Sequence, residues 1–280
     1  MKLVTWNIQW GCGRDGRVDL ARVLAHARAL ADFDVLCLQE VADGWPDLPG
    51  GAPGNQFRDI ARALPGFAAV EGVAVDLPGP GGARRRFGNL LLSRLPVLQV
   101  LRHQLPWPAD AAVPSMARVA IEATLRAPFG PLRVLTTHLA YYSPAQRLAQ
   151  VERLRELQRE GAAHARRLRP AGEGPFAALP RGGPALLAGD MNFRPDSIEH
   201  ARLLAPFHDG TPAWHDAWAR LHPGQPCPPT FAPHDGPAPE APYCCDFVFA
   251  SGDLLPRLRA LRVDTATDAS DHQPLLLELG

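Results

Sequence analysis

Eight residues able to bind a metal, hold a water or move a proton stand within or at the ends of apolar, strand-like runs: Asn7, Glu40, His138, Asp190, Asn192, Asp246, Asp271 and His272. The stretch Pro184 to Asn192, PALLAGDMN, shows the pattern most clearly. Ala185-Leu186-Leu187-Ala188 follows the turn Gly182-Gly183-Pro184 and reads as a short buried strand. It ends in Gly189, a carboxylate at Asp190 and a carboxamide at Asn192. A desolvated carboxylate is costly unless a cation or a hydrogen-bond donor meets it. Positions i and i+2 off a strand end point to the same side. A carboxylate beside an amide suits a water, a hard metal ion or a phosphate oxygen. Alone, the motif is equally an Asp/Asn turn; its weight comes from the other residues that end strands in the same way.

The elements that must position them follow from periodicity. Leu3 to Trp10 reads as a strand holding Asn7, Val18 to Ala31 as an amphipathic helix, and Asp34 to Glu40 as a second buried strand ending in an acid. A strand, a helix and a strand in succession suggest an α/β unit. Asn55 to Leu64 reads as a short helix, and Phe67–Val75, Gly88–Ser93, Pro96–Leu105, Met116–Arg126 and Leu132–Leu139 as consecutive strands, the last reaching Thr137-His138. Short connections between them suggest a mixed or mostly antiparallel sheet system. Ser143-Pro144-Ala145-Gln146 is a helix start with a capping-box pattern, and that helix extends to about Leu168. Short helices are expected over Ser197–Leu204 and Ala213–Leu221, and strands over Asp246–Ala250, Leu258–Val263 and Pro274–Leu279. Loops are expected at 43–54, 79–86, 105–115, 170–183 and 223–242. The polar residues at the strand ends would then share one edge.

Composition bounds what that edge does. Lys+Arg and Asp+Glu are 29 each, so no global field draws the chain to nucleic acid or anionic lipid. The 280 residues suffice for a sizeable core, and a single domain over 1–280 is expected. Cys12, Cys37, Cys227, Cys244 and Cys245 lack metal-type spacing. Cys227 with Cys244-Cys245 lacks an evident fourth zinc ligand, so the set reads as reduced thiols in a cytoplasmic protein. Met1-Lys2 runs directly into strand-like sequence rather than an apolar leader, and no apolar run approaches a membrane span.

The ordered pieces TWNIQW, LCLQEV, GNLLLSR, TTHLA, GDMN, CDFVFAS and SDHQPLLLEL resemble the endonuclease/exonuclease/phosphatase superfamily and span nearly the whole chain. The resemblance implies an α/β (α+β) four-layer sandwich, with two mixed β-sheets face to face and helices outside. It implies Mg²⁺- or Mn²⁺-dependent cleavage of phosphoester bonds. Glu40 would be the main metal ligand, with Asn7 and Asp271 completing an oxygen site suited to Mg²⁺. Asp190 would orient or deprotonate water, and Asn192 would hold that water or a phosphate oxygen. His272, oriented by Asp246, would donate to phosphate or take a proton, and His138 would stabilise a non-bridging oxygen. Residue types leave open whether Asp190 or His272 is the base.

Arg84, Arg85 and Arg86, with Asn89 nearby, are candidate substrate-binding residues; the arginines read either as a solvated charge run or as a phosphate-gripping edge. Arg147 and Gln150 are expected to tie their helix to the loops around His138. Trp6 is expected in the core, and loop residues Trp45 or Trp107 as stacking partners for a base or sugar. The leading expectation is a metal-dependent phosphodiesterase or phosphatase acting on a small molecule or nucleic acid, with no protein partner implied. The alternatives are a DNA nuclease and a non-catalytic binding scaffold. Abasic-site enzymes of the family carry Tyr where His138 stands, which favours the deoxyribonuclease-like, sphingomyelinase-like and small-phosphodiester branches. A sphingomyelinase would also need an exposed apolar membrane-contacting loop, which the sequence does not clearly show.

Overall fold

A computed structural model describes residues 1–167, 172–177, 181–232 and 241–280; the expected helix end at Leu168 and parts of the 170–183 and 223–242 loops lie outside the described residues. In chain order the elements begin β1 (Lys2–Asn7), α1 (Leu20–Leu30), β2 (Val35–Trp45), β3 (Ala52–Asn55), α2 (Gln56–Ala63), β4 (Ala68–Pro78), β5 (Arg84–Ser93) and β6 (Val97–Gln104). They continue β7 (Val119–Ala127), β8 (Gly130–His138), α3 (Pro144–Arg166), β9 (Ala185–Asp190), α4 (Ile198–Leu204) and β10 (Trp214–Asp216). The last are α5 (Ala217–Leu221), β11 (Asp246–Ser251), β12 (Leu258–Val263) and β13 (Leu275–Leu279).

Among the described residues the strands form two sheets. One has the order β12-β13-β1-β2-β5-β4, with β3 paired to β2, and the other the order β10-β11-β9-β8-β7-β6. Both are mixed: β1 runs parallel to β2 and β8 parallel to β9, each pair joined through a helix, while neighbours such as β2–β5 and β9–β11 are antiparallel. The layers follow from side-chain alternation along the strands. Leu3, Cys37 and Leu91 from the first sheet pack against Ile121, Val134, Leu186 and Val248 from the second. On the outer face of the first sheet, Val4, Trp6, Leu36 and Leu38 meet Val23 and Leu24 of α1 and Phe57 and Ile60 of α2. On the outer face of the second, Leu135, Leu187 and Phe249 meet Val151, Leu154 and Leu157 of α3 and Leu203 of α4. The result is the expected four-layer α/β sandwich.

Two polar devices hold the sheets in place. The Gln39 amide, fully buried, donates to Thr5 Oγ1 at 3.3 Å and across the core to Thr136 Oγ1 at 3.0 Å. Glu122, buried on β7, accepts from Arg181 at 2.8 Å, lies 3.0 Å from His103 and faces Arg133 at 3.5 Å. A buried carboxylate is tolerated when cations and donors surround it in this way.

Several elements differ from expectation. The first strand stops at Asn7, because Gln9 and Trp10 take left-handed backbone conformations (φ 46° and 45°) in a 3₁₀ turn. Residues 213–221 are not one helix: Trp214–Asp216 pairs with β11 before Asp216 caps α5. The expected 43–54 loop is shorter, since β2 continues to Trp45. Arg84 to Arg86, expected in a loop, extend β5 in register with β4, and their side chains meet carboxylates on neighbouring segments. The capping box is only half formed. Ser143 Oγ accepts from Gln146 N at 3.2 Å, but the Gln146 side chain reaches Pro108 O instead of returning to Ser143.

Candidate active site

β1, β8 and β9 end, and β11 begins, at one edge of the two sheets, and β2 bulges there. The register pairs His138 on β8 with Asp190 on β9, and Asp190 with Asp246 on β11. Asn7 closes β1 opposite Gln39. Glu40 has φ 60°, and the β2–β5 register slips between Leu38 and Val41. Such a bulge re-aims a side chain that regular alternation would direct elsewhere, and Glu40 lines the cleft. Asn192 is likewise left-handed, at φ 51°. Left-handed backbone at non-glycine residues persists only where the surroundings enforce it. Gly189, at φ 141°, has no room for a side chain: a Cβ there would lie 2.0 Å from Thr137 O. The glycine of GDMN is therefore what lets β9 lie flat against β8.

These side chains converge on a cleft of about 490 Å³ whose walls include Trp10, Arg118, Tyr141, Tyr142 and Phe231. Asn7 Nδ2 donates to Asp190 Oδ2 at 3.0 Å and to Glu40 Oε1 at 3.2 Å. Asn192 Nδ2 donates to Leu139 O at 3.0 Å and lies 2.9 Å from His138 Nε2. Because that amide nitrogen donates, Nε2 accepts, and the ring proton of neutral His138 sits on Nδ1. His138 Nδ1 is 3.8 Å from Glu40 Oε1. His272 Nδ1 meets Asp246 Oδ2 at 2.8 Å, and its Nε2 lies 3.7 Å from Asp190 Oδ2. Trp6 Nε1 donates to His272 O at 2.9 Å, and Gln9 Nε2 to Asp271 Oδ2 at 2.9 Å. Trp6 is thus both the expected core residue and a support of the site.

Electrostatics separate the two histidines. Burial and the nearby Arg118 charge push His138 down to about 3, so its imidazole is neutral. Burial also opposes the charged form of His272, but the carboxylates of Asp246 and Asp190 outweigh it and hold the ring well above its ordinary value. Burial, then the Asp271 charge, raises Glu40 to about 7. Burial raises Asp271 as well. Burial is the main cause in both, and a cation at the cleft would favour their charged forms. Glu40 and Asp271 offer carboxylate oxygens to the cleft, the ligand type of a hard divalent cation, while Asn7 turns Nδ2 to Glu40 and its Oδ1 accepts from Gln9 N at 3.1 Å. Ligand atoms of Asp190, Cys245 and His272 also lie within 4.8 Å of one another. That group includes a thiol and an imidazole whose Nδ1 is already engaged by Asp246, so it suits a hard ion less well.

Arg118 is the component that sequence reasoning missed. It is 7% exposed, lines the cleft, and its Nε has no hydrogen-bond partner. Burial lowers it to about 10, although Glu40 and Asp190 favour the charged form, so it remains a cation at neutral pH. In the sequence it is one arginine inside the expected strand Met116–Arg126, with nothing to mark it; in the structure that strand starts after it, at Val119.

Of the expected substrate-binding residues, the three arginines do not line the cleft, and Asn89 borders a small hollow it shares with Arg118 and His138. Arg84 donates to Asp76 at 2.7 Å, Arg85 to Asp47 at 2.7 Å and Arg86 to Asp43 at 2.8 Å, and none lines the cleft. Asn89 is buried, and its Nδ2 donates to Val119 O at 2.9 Å, joining β5 to β7. Trp45 donates to Arg86 O and Trp107 to Ser115 Oγ; neither lines the cleft, whereas Trp10 does. Arg147 binds Ala140 O, Tyr141 O and Glu199, and Gln150 accepts from Ala140 N, so both tie α3 to the segment after His138. Cys245 faces Asp246 and His272, whereas Cys244 meets Cys227, so the three thiols do not converge on one point.

Residues 4–272 match the Endonuclease/Exonuclease/phosphatase family. A solved endonuclease/exonuclease/phosphatase from Beutenbergia cavernae DSM 12333 is 27% identical with TM-score 0.69, covering 100% of this chain and 72% of that one. A mannosyl-6-phosphatase from Bacteroides thetaiotaomicron VPI-5482 shares the fold at 17% identity and TM-score 0.66, covering 100% and 99%. So does a 3′ phosphatase, NExo, from Neisseria, solved with a product DNA hairpin, at 20% identity and TM-score 0.60, covering 100% and 99%. Comparison with curated proteins finds no match.

Proposed function

The chain belongs to the endonuclease/exonuclease/phosphatase family of phosphoester hydrolases, and from that premise we propose that it is a divalent-metal-dependent hydrolase of small phosphoesters. The observation that carries this reading is the position of Asp190. Its Oδ2 lies 3.0 Å from Asn7 Nδ2, 3.4 Å from His138 Nε2 and 3.7 Å from His272 Nε2. A buried carboxylate so placed can hold a water and take its proton, while His272 Nε2 and His138 Nδ1 offer hydrogens to a phosphoryl group.

Glu40, Asn7 and Asp271 would hold the cation. When bound, it supplies charge neutralisation at the phosphoryl oxygens and helps to activate water. The protein's own residues do the rest. Asp190 orients the attacking water and accepts its proton. His272, with Asp246 at its Nδ1, donates from Nε2 to a phosphoryl oxygen, and this reading assigns the base to Asp190. His138 donates from Nδ1 and is fixed in that tautomer by Asn192. Arg118 places a desolvated positive charge against the phosphoryl group, where low dielectric strengthens it.

A small substrate is favoured over duplex DNA by charge. Formal net charge is zero, and the one run of three arginines is matched by aspartates. Duplex binding draws most of its affinity from unmatched cations meeting phosphates. A second hollow of about 710 Å³ shares Tyr141, Tyr142 and Asn192 with the cleft and gives room for the organic part of an ester. The second reading is cleavage of single-stranded DNA, favoured by Trp10, Tyr141, Tyr142 and Phe231 around the cleft, because aromatic rings stack on bases. Rates on p-nitrophenyl phosphate, bis-p-nitrophenyl phosphate, single-stranded DNA and plasmid DNA with Mg²⁺ or Mn²⁺ separate these readings. Faster turnover of a small ester than of either DNA is expected; strong preference for single-stranded DNA would replace the first reading with the second.

A further inference from the structure

Cys227 and Cys244 place their Sγ atoms 2.7 Å apart, with both thiols free. We propose that they are a dithiol–disulfide pair, a modification site that clamps one wall of the cleft when oxidised. This inference rests on the geometry of the two thiols and not on the catalytic reading.

The pair joins two segments that meet at the site. Cys227 begins the stretch that carries Thr230 and Phe231. Thr230 Oγ1 accepts from both Cys245 N and Asp246 N at 3.0 Å, and Gln273 N donates to Thr230 O at 2.7 Å. Phe231 lines the cleft, and its ring centroid lies 4.9 Å from that of His272. Cys244 immediately precedes Cys245 and Asp246, the carboxylate that engages His272. A bond between the sulfurs would therefore tie the Phe231 wall covalently to the start of β11.

Access gives the two thiols different parts. Cys227 is half-buried and can meet a reagent, whereas Cys244 is buried at 4% exposure and is held beside it. With a small disulfide such as glutathione disulfide, the Cys227 thiolate attacks one glutathione sulfur, forming a mixed disulfide and releasing one glutathione. Cys244 then loses its proton to solvent and attacks the Cys227 sulfur, forming the protein disulfide and releasing the second glutathione. The two cysteines lose two electrons and two protons, and the glutathione disulfide gains them, so the exchange balances. Cys12, Cys37 and Cys245 are buried, and none has a sulfur partner among the described residues.

Folded full-length protein would be treated with glutathione disulfide, quenched in acid, unfolded, alkylated with N-ethylmaleimide and mapped by peptide mass spectrometry. A parallel sample would be reduced with dithiothreitol, and melting temperatures would be taken for both. The expected result is a Cys227–Cys244 crosslinked peptide, full alkylation of Cys12, Cys37 and Cys245, and a higher melting temperature for the oxidised protein. Cross-linking an unfolded chain restricts it and so raises stability. In Cys227→Ser the shift should vanish and Cys244 should be fully alkylated. Equal alkylation of all five cysteines after oxidation, or a crosslink between other positions, would overturn the proposal. So would an oxidised wild type that melts no higher than the reduced form.

Discussion

His272 Nδ1 and Asp246 Oδ2 lie 2.8 Å apart with both side chains buried. This pair favours the charged imidazole and leaves Nε2 3.7 Å from Asp190 Oδ2 in the cleft, where the proposed mechanism has it donate to a phosphoryl oxygen. Replacing Asp246 with Asn should remove most of that bias while keeping the shape. A fall in kcat of roughly 10²- to 10⁴-fold is expected, the range for a misplaced proton donor. The activity of Asp246→Asn should also decline toward alkaline pH earlier than that of wild type, as His272 loses its proton more readily. An unchanged pH profile in steady-state assays would show that Asp246 serves only folding.

Glu40 makes metal binding depend on pH. Its carboxyl is raised to about 7 by burial and by Asp271. Below that pH a cation must displace a proton. Mg²⁺ affinity should therefore fall as pH drops through about 7, with about one proton released per ion near pH 6 and fewer at pH 8. Stability of the metal-free protein changes with pH in the opposite direction. The folded, metal-free protein holds a proton on Glu40 that the unfolded chain gives up near 4.5, so this group's contribution declines as pH rises from about 4.5 to about 7. Calorimetric titrations in buffers of different ionisation enthalpy measure the proton count. Glu40→Gln should lose both the metal affinity and its pH dependence.

Arg118 should show function at the expense of stability. It is buried beside two carboxylates, yet its Nε lacks a partner. Arg118→Met is expected to lower kcat/KM by roughly 10²- to 10³-fold, comparable to the loss of one transition-state donor. Its melting temperature should be unchanged or higher, because a desolvated charge is removed. Loss of melting temperature in step with activity would make Arg118 a structural cation instead.

Glu122 is the opposite case. Burial works against its charge, but hydrogen bonds from His103 and Arg181 and the Arg133 charge outweigh it and hold the carboxyl at about 2. A depressed carboxylate stabilises the fold above its unfolded value near 4.5, and that stabilisation is lost as pH falls toward 2. Glu122→Gln leaves Arg133 buried without its counter-charge, and about 3 to 5 kcal/mol of destabilisation is expected. Urea unfolding at pH 7 and pH 3 tests this: the gap between wild type and variant should narrow at the lower pH.

How much of this was legible in the sequence depends on where each interaction's partner lies. Asn7, His138, Asp190 and Asp246 were legible because an apolar run that stops at a polar residue carries its own signal, and the fold aligns those ends. Glu40 was legible as an acid at a strand end, but the bulge that aims it arises from pairing with β5 and has no local mark. Arg118 is an isolated arginine whose role appears only when β7 meets the cleft. Arg84 to Arg86 looked available because Asp43 and Asp47, which match two of them, lie about forty residues away in the chain. Trp214–Asp216 has helix-compatible neighbours, and only pairing with β11 makes it a strand.

The most direct test of the catalytic assignment is hydrolysis of bis-p-nitrophenyl phosphate by wild type and Asp190→Ala in Mn²⁺, with EDTA as control and metal binding measured on both proteins. Wild type should turn over only with metal. Asp190→Ala should remain folded and retain metal through Glu40, Asn7 and Asp271, while kcat falls by roughly 10²- to 10⁴-fold. Full activity in Asp190→Ala, or wild-type turnover that EDTA leaves untouched, would contradict the assignment.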